Sequence, residues 1–398
     1  MNRGLTFAVL AAVLFLAACE KKPPVEIPSE LLLIPTTFQA IPGWGEDALS
    51  EVVPALTRSC ARLIGQPDAR TVGPGSGSNS GLAGTVADWR PACAAVGAVP
   101  AGDDAAARAT LEAWFAPFKA TGDGRDDGLF TGYYEAELRG ATAPDDTYRV
   151  PLYGLPPDLI SAKLHDFRAD LSGKIFGRVA DNQLVPYFTR AQIDGGAIDG
   201  KNLELLWADD PVDVFFLHIQ GSGLVTLPDG TVRRVGFAAS NGQKFYPIGR
   251  ALLDEGKVSR DNASMQAMRA WLRANPREAA QIMQRNDRYI FFRWIDGDGP
   301  IGSQGVALTP GRSLAVDPAF LPLGVPIFLD TTWPGSDRPL RRLLVAQDTG
   351  SAIKGPLRGD FFWGAGEAAL AEAGRMKQRG KIYILLPKSV AERRKTTS

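Results

Sequence analysis

Apolar and polar positions divide this chain into stretches of different character. An uninterrupted apolar run occupies 5–18, shorter than the roughly 20 residues a membrane-spanning helix needs. From 46 to 120 the spacing is helical. Leu49, Val52, Val53, Leu56 and Leu63 form one stripe over 46–64. A second helix is predicted over 86–96 and a third over 102–120, where Leu111, Trp114, Phe115 and Phe118 would share a face. Between the first two, 71–81 is a Gly/Ser loop. Beyond Gly124 the segments shorten and turn β-rich. Strands are predicted over 128–137, 148–152, 214–219, 223–226 and 231–238, with Leu227-Pro228-Asp229-Gly230 as a hairpin turn. Helices return over 248–253 and 262–274, with a turn at 258–261. Strands and loops follow over 291–345, then a helix over 366–375, a strand over 381–386, and a charged, frayed tail after Pro387. Short strands with few helices do not make a doubly wound parallel sheet; a mainly β body with helical additions fits.

Composition narrows the picture. Lys plus Arg and Asp plus Glu number 44 each, so no charge excess points to nucleic acid. The length of 398 residues allows two or three domains. Arg3 before the apolar run and small residues after it make 1–18 a secretory signal. Its end, Leu16-Ala17-Ala18-Cys19, resembles a bacterial lipobox, in which the cut falls before the cysteine and the cysteine is lipidated. Glu20 is not the aspartate of inner-membrane retention, so the expectation is an outer-membrane lipoprotein facing the periplasm. Residues 19–45, rich in Pro and polar side chains, read as a lipid-anchored tether. In an oxidising compartment Cys60 and Cys93 can pair. His165 and His218 are the only histidines, too few to complete a metal-ligand set; no metal or cofactor is expected. His218, inside the predicted 214–219 strand, reads as a core residue.

Candidate chemistry is densest over 346–364. Asp348 follows an apolar strand, and Asp360 sits in a predicted loop before Phe361, Phe362 and Trp363. A carboxyl against aromatics loses hydration and its pKa rises; a second carboxylate pushes the same way, while Lys354 and Arg358 push back. Read locally, aspartates among glycines serve as turn and helix caps as readily as catalysts. Asp296-Gly297-Asp298-Gly299 lacks the spacing of an EF-hand, and Gly302-Ser303-Gln304-Gly305 is not a Gly-x-Ser-x-Gly nucleophile elbow.

Five ordered motifs carry a resemblance. They are Phe130-Thr131-Gly132-Tyr133-Tyr134-Glu135, His218-Ile219-Gln220-Gly221-Ser222-Gly223, Ala239-Ser240-Asn241-Gly242, Arg312-Ser313-Leu314-Ala315-Val316-Asp317-Pro318, and the 346–364 stretch. Together, over roughly 105–387, the chain resembles the membrane-bound lytic murein transglycosylase A family. That family's C-terminal module is named for three aspartates, which fall here on Asp317, Asp348 and Asp360. The resemblance implies a double-psi β-barrel of 100–139 plus 291–388, split by an inserted β-rich domain of 140–290, with glycan in the groove between them. The N-terminal helical region, 46–99, and the tail, 389–398, complete the organisation.

The implied activity is that of a peptidoglycan lytic exotransglycosylase. It cleaves the β-1,4 bond between N-acetylmuramic acid and N-acetylglucosamine without water, leaving a 1,6-anhydro end. Asp360 would act as general acid and then general base, with Asp348, Asp317 and Lys354 in support. Thr131, Gly132, Tyr133, Gln220, Gly221 and Ser222 would bind substrate. The partners implied are glycan strands, the outer membrane through Cys19, and a wall-remodelling complex. The rival readings are a non-catalytic peptidoglycan-binding lipoprotein and a hydrolytic muramidase with Glu135 as second carboxylate. More distant is an aspartic peptidase built on Asp348-Thr349-Gly350.

Overall fold

The computed structural model describes residues 30–396 apart from 75–79, 123, 172, 260–263 and 298. The signal over 1–18, Cys19 with its expected lipid, the first part of the tether, Asp298 and half of the 258–261 turn lie outside the described residues. The N-terminal part contains β1 (Leu32–Pro35), α1 (Val53–Ile64), α2 (Val86–Gly97), α3 (Asp104–Trp114), β2 (Phe115–Thr121) and the long β3 (Gly128–Ala141). The middle contains β4 (Val150–Tyr153), β5 (Ile160–Lys163), β6 (Lys174–Ala180), β7 (Gln183–Pro186), α4 (Arg190–Asp194), β8 (Glu204–Ala208), α5 (Pro211–Gln220), β9 (Ser222–Thr226), β10 (Val232–Ser240), α6 (Ile248–Asp254), α7 (Met265–Ala274), α8 (Pro276–Gln284) and β11 (Ile290–Ile295). The last part contains β12 (Ser313–Val316), β13 (Pro326–Thr332), β14 (Pro339–Thr349), β15 (Arg358–Ala365), α9 (Gly366–Arg375), β16 (Lys377–Pro387) and α10 (Lys388–Thr396).

Six strands pair into a closed ring. β3 runs parallel to β15, β15 antiparallel to β12, β12 parallel to β14, β14 antiparallel to β13, β13 antiparallel to β16, and β16 returns antiparallel to β3. Closure removes the unpaired edges an open sheet would leave. Phe130, Leu314, Phe328, Phe361 and Ile384 are buried in one core with apolar residues of α1 and α2. The far half of β3 leaves the ring and pairs with β9, from which β10 and β11 continue a second layer. One 14-residue strand therefore belongs to both halves and fixes how they meet. Cys60 of α1 and Cys93 of α2 form a disulfide, a cross-link that contributes roughly 2–4 kcal/mol by restricting the unfolded chain.

Four sequence expectations are corrected. The tether ends earlier than residue 45: β1 pairs with β2, and Leu31, Phe38, Ile41 and Trp44 are buried. Trp44 stacks on Phe38 and Phe328, so these apolar residues seat on the ring despite the prolines around them. The third helix stops at Trp114 and Phe115 opens β2. Pro117 explains the break, because it cannot donate a helical hydrogen bond and disfavours helical geometry in the residue before it. The expected strand over 214–219 is the helix α5. Asp210 caps it by accepting from the Val212 N–H, and Pro211 occupies the first turn. A short run apolar on every side has no diagnostic period; α5 is such a run because it is buried nearly all round. The tail after Pro387 is not frayed: it forms α10, where Val390 and Ala391 are buried and Ser389 and Arg393 hold Asp88 of α2.

Candidate active site

The parallel and antiparallel registers set four residues in one row across the ring. Asp348 of β14 pairs with Ala315 of β12, Ala315 with Asp360 of β15, and Asp360 with Thr131 of β3. Directly paired residues point to the same face of a sheet, so the two carboxylates share a face with Ala315 between them in the row. Two strand spacings separate their backbones by about 10 Å. Asp360 is thus on a strand, not in the loop expected from its flanking glycines. The alternation along β15 sends Phe361 into the core and leaves Asp360 and Phe362 on the other face; Phe362 stacks against Tyr133 at 5.1 Å.

Asp360 is partly exposed yet flanked closely by protein. Burial raises its pKa, opposed by the Thr131 hydrogen bond and the Arg358 charge and reinforced by the Asp348 charge. Thr131 Oγ1 donates to Asp360 Oδ1 at 2.5 Å and accepts from Arg358 Nη2 at 2.8 Å. Arg358, itself half-buried, has its pKa lowered by desolvation, with the Asp360 charge opposing.

Asp348 is held by one oxygen. The Ser303 N–H, the Ser303 hydroxyl and the Thr349 N–H all donate to Oδ1 at 2.9 Å. Burial still raises its pKa against these bonds. The buried Tyr133 hydroxyl faces both aspartates, which, with desolvation as the larger cause, hold its pKa well above the ordinary tyrosine value. Among the described residues no partner meets it with good hydrogen-bond geometry, and of the two carboxylates Asp348 acts on it more strongly.

The other expected site residues separate. Asp317 is buried and structural: its carboxylate accepts from Ala319 N at 3.1 Å and Gly355 N at 2.9 Å, pinning the loop between β14 and β15. Lys354, on that loop, is exposed and makes no ion pair among the described residues. Gly132 is a packing position, since a Cβ there would lie 2.6 Å from Trp363 Nε1 and 2.9 Å from the Ala373 Cα. Gln220 ends α5, not a strand, and its side-chain oxygen accepts from the Tyr134 N–H at 3.2 Å. Gly221 turns the chain with φ of 84° and Ser222 begins β9. These three lie along β3 beyond the aspartate row. Glu135 is buried against Arg234, whose Nε donates to it at 2.6 Å. His218, in helix α5, is buried, bonded to Arg190 at 2.9 Å and packed on Tyr289. Ser303, Arg358 as a Thr131 partner, and Ala315 as the spacer are contributions the sequence reading did not assign. Two surface hollows lie elsewhere, one beside Asp209, Asp213 and Arg273, the other beside Glu51, Arg312 and Trp333.

Two family models match this chain. The MltA specific insert domain matches residues 129–293 and the 3D domain matches 312–386. The membrane-bound lytic murein transglycosylase A of Vibrio cholerae is 32% identical over 273 residues, covering 66% of this chain and 67% of that one. A membrane-bound lytic murein transglycosylase from Agrobacterium tumefaciens, solved by crystallography, is 35% identical with a TM-score of 0.79, covering 91% of this chain and 99% of that one. The structure of Escherichia coli MltA with bound chitohexaose, 23% identical and with a TM-score of 0.64 over 91% of this chain and 93% of that one, shares the fold.

Proposed function

We propose, since this chain belongs to the membrane-bound lytic murein transglycosylase A family, that it cleaves peptidoglycan glycan strands at the N-acetylmuramyl β-1,4 bond without water, with Asp360 as the single acid and base. The observation that carries the residue assignment is the row Asp348–Ala315–Asp360–Thr131. It sets two carboxyls with raised pKa values on one face with Ala315 between their strands, and of the two it is Asp360 that receives the Thr131 hydroxyl. The six-strand ring is read as a double-psi β-barrel, and the glycan is placed in a groove between the ring and the β9–β11 layer. The structure of E. coli MltA with bound chitohexaose supports a glycan as the ligand.

The chemistry balances on one group. Neutral Asp360 gives its proton to the glycosidic oxygen as the C1–O bond breaks and C1 takes on oxocarbenium character. The Asp360 carboxylate then takes the proton of the muramyl C6 hydroxyl as its oxygen bonds to C1, which closes the anhydro ring and regenerates the acid. The substrate supplies its own nucleophile, so no second carboxylate is required, unlike a glycosidase that uses water. Burial raises the Asp360 pKa and so favours the protonated form that the first half needs. The Thr131 hydroxyl, polarised by Arg358, stabilises the carboxylate it becomes. Glu135, engaged by Arg234, is not available as the water-activating base of a muramidase. Tyr133 and the Gln220-Gly221-Ser222 turn are assigned to contacts with sugar along β3. The chain is read as an outer-membrane lipoprotein anchored through Cys19 and open to wall-remodelling partners.

Mass spectrometry of muropeptides released from purified sacculi tests the reaction class. Anhydro-muramyl ends are expected. Reducing muramyl ends would mean hydrolysis, and sacculus binding without release would mean a binding lipoprotein.

A further inference from the structure

The Gly302-Ser303-Gln304-Gly305 turn lies between the two family matches, which end at 293 and begin again at 312. The turn is built against the strand that carries Asp348. A Cβ on Gly302 would meet the Gln347 carbonyl oxygen at 2.5 Å, so only glycine allows that approach. The Gln304 N–H donates to the same carbonyl at 3.0 Å. Placed this way, Ser303 gives two of the three hydrogen bonds on Asp348 Oδ1, and its hydroxyl oxygen lies 2.7 Å from the Thr349 hydroxyl.

The turn is itself fastened from a distant part of the chain. Ser59 of α1 donates to Gln304 Oε1 at 2.7 Å and accepts from Gln347 Nε2 at 2.8 Å. Gln347 Nε2 also donates to the Ala55 carbonyl at 2.9 Å, and Gln347 Oε1 accepts from Ser313 at 2.5 Å. Ser59, Ser313 and Gln347 are buried, and a fully satisfied buried polar network rigidifies the elements it joins. Ser59 neighbours Cys60, whose disulfide to Cys93 locks α1 to α2.

We propose that Ser303 is a positioning residue that fixes the Asp348 carboxylate for the reaction, and that Ser59 holds the Ser303 turn from the disulfide-locked helix pair. This rests on the reading of Asp360 as the acid and base, with Asp348 supporting it from the same face through its charge. It gives the N-terminal helices a catalytic consequence: they set the rotamer of a carboxylate they do not touch. All three of these donors fall on Oδ1.

The test is steady-state kinetics of anhydro-product formation by the full-length protein on soluble uncross-linked glycan strands, with melting temperatures in parallel. Ser303→Ala should lower kcat roughly tenfold, the effect of losing one charge-assisted hydrogen bond. Ser59→Ala, which loosens the turn and leaves the Ser303 bond itself in place, should lower it by about threefold, each with KM within about twofold. Ser303→Thr, which keeps the hydroxyl at an exposed position, should restore most of the rate. Should Ser59→Ala fail to fold, Gln304→Ala removes the same link from a half-exposed side chain. Wild-type kcat in Ser303→Ala, or a Ser303→Thr as slow as Ser303→Ala, overturns the proposal. A wild-type protein that forms no anhydro product sinks the functional reading itself, and with it any role for Ser303 in that reaction.

Discussion

Thr131 stands between Arg358 and Asp360, accepting from the guanidinium at 2.8 Å and donating to the carboxylate at 2.5 Å. The hydroxyl therefore favours the ionised form of an acid that burial drives toward the neutral form. Thr131→Val removes that support and leaves desolvation less opposed, so the Asp360 pKa should rise further. The alkaline limb of the kcat–pH profile should move to higher pH, because the acid form persists longer. Maximal kcat should fall about tenfold or more, because the carboxylate formed in the first half-reaction loses a hydrogen bond. Thr131→Ser should behave as wild type. A Thr131→Val profile superimposable on the wild type would remove Thr131 from the mechanism.

Two carboxyls with raised pKa values carry a stability signature. A folded-state pKa above the unfolded value means the native state binds more protons between the two, so stability falls as pH rises through that interval. Asp348 and Asp360 both shift upward, with burial as the first cause. Asp360→Asn should therefore raise the melting temperature at pH 7 by about 2 °C or more. The gain should shrink as pH falls toward about 4, the range of an unperturbed aspartate. Melting curves from pH 4 to pH 8 check this; an Asn variant less stable than wild type at pH 7 contradicts it.

Glu135 separates structure from chemistry. Its side chain is 3% exposed and that of Arg234 15% exposed, and burial raises the Glu135 pKa even against the Arg234 bond. Breaking such a buried pair from one side costs about 3–5 kcal/mol. Arg234→Ala should lower the urea midpoint accordingly while the protein that remains folded still forms anhydro ends. Glu135→Gln, which keeps a hydrogen bond to Arg234, should retain most of the turnover. Loss of turnover in a fully folded Glu135→Gln would instead place a second carboxylate in the reaction and revive the hydrolase.

Much of this was legible in the chain, for unequal reasons. The helix over Gly366–Arg375 coincides with its sequence expectation, and the Leu227-Pro228-Asp229-Gly230 turn does join two antiparallel strands, because both are local patterns. The α5 helix was misread because Val214, Phe215, Phe216 and Leu217 are all buried, which erases periodicity; the deciding signal was Asp210-Pro211 at its start. Asp360 could be singled out by ordered motifs but not by its neighbours. Its partnership with Thr131 crosses 229 positions, and the row through Ala315 exists only once β14, β12, β15 and β3 are laid side by side. Ser303 was weighed only as a nucleophile, and nothing in its tetrapeptide signals that its backbone and side chain converge on Asp348.

The central claim is that one aspartate does both proton transfers. Its most direct test compares Asp360→Asn with Asp348→Asn on purified sacculi, scoring anhydro-muropeptides by mass spectrometry and confirming by circular dichroism that both variants are folded. The account predicts that Asp360→Asn yields no anhydro product above background, whereas Asp348→Asn retains a measurable, reduced yield. Anhydro product formed at an undiminished rate by folded Asp360→Asn would contradict it.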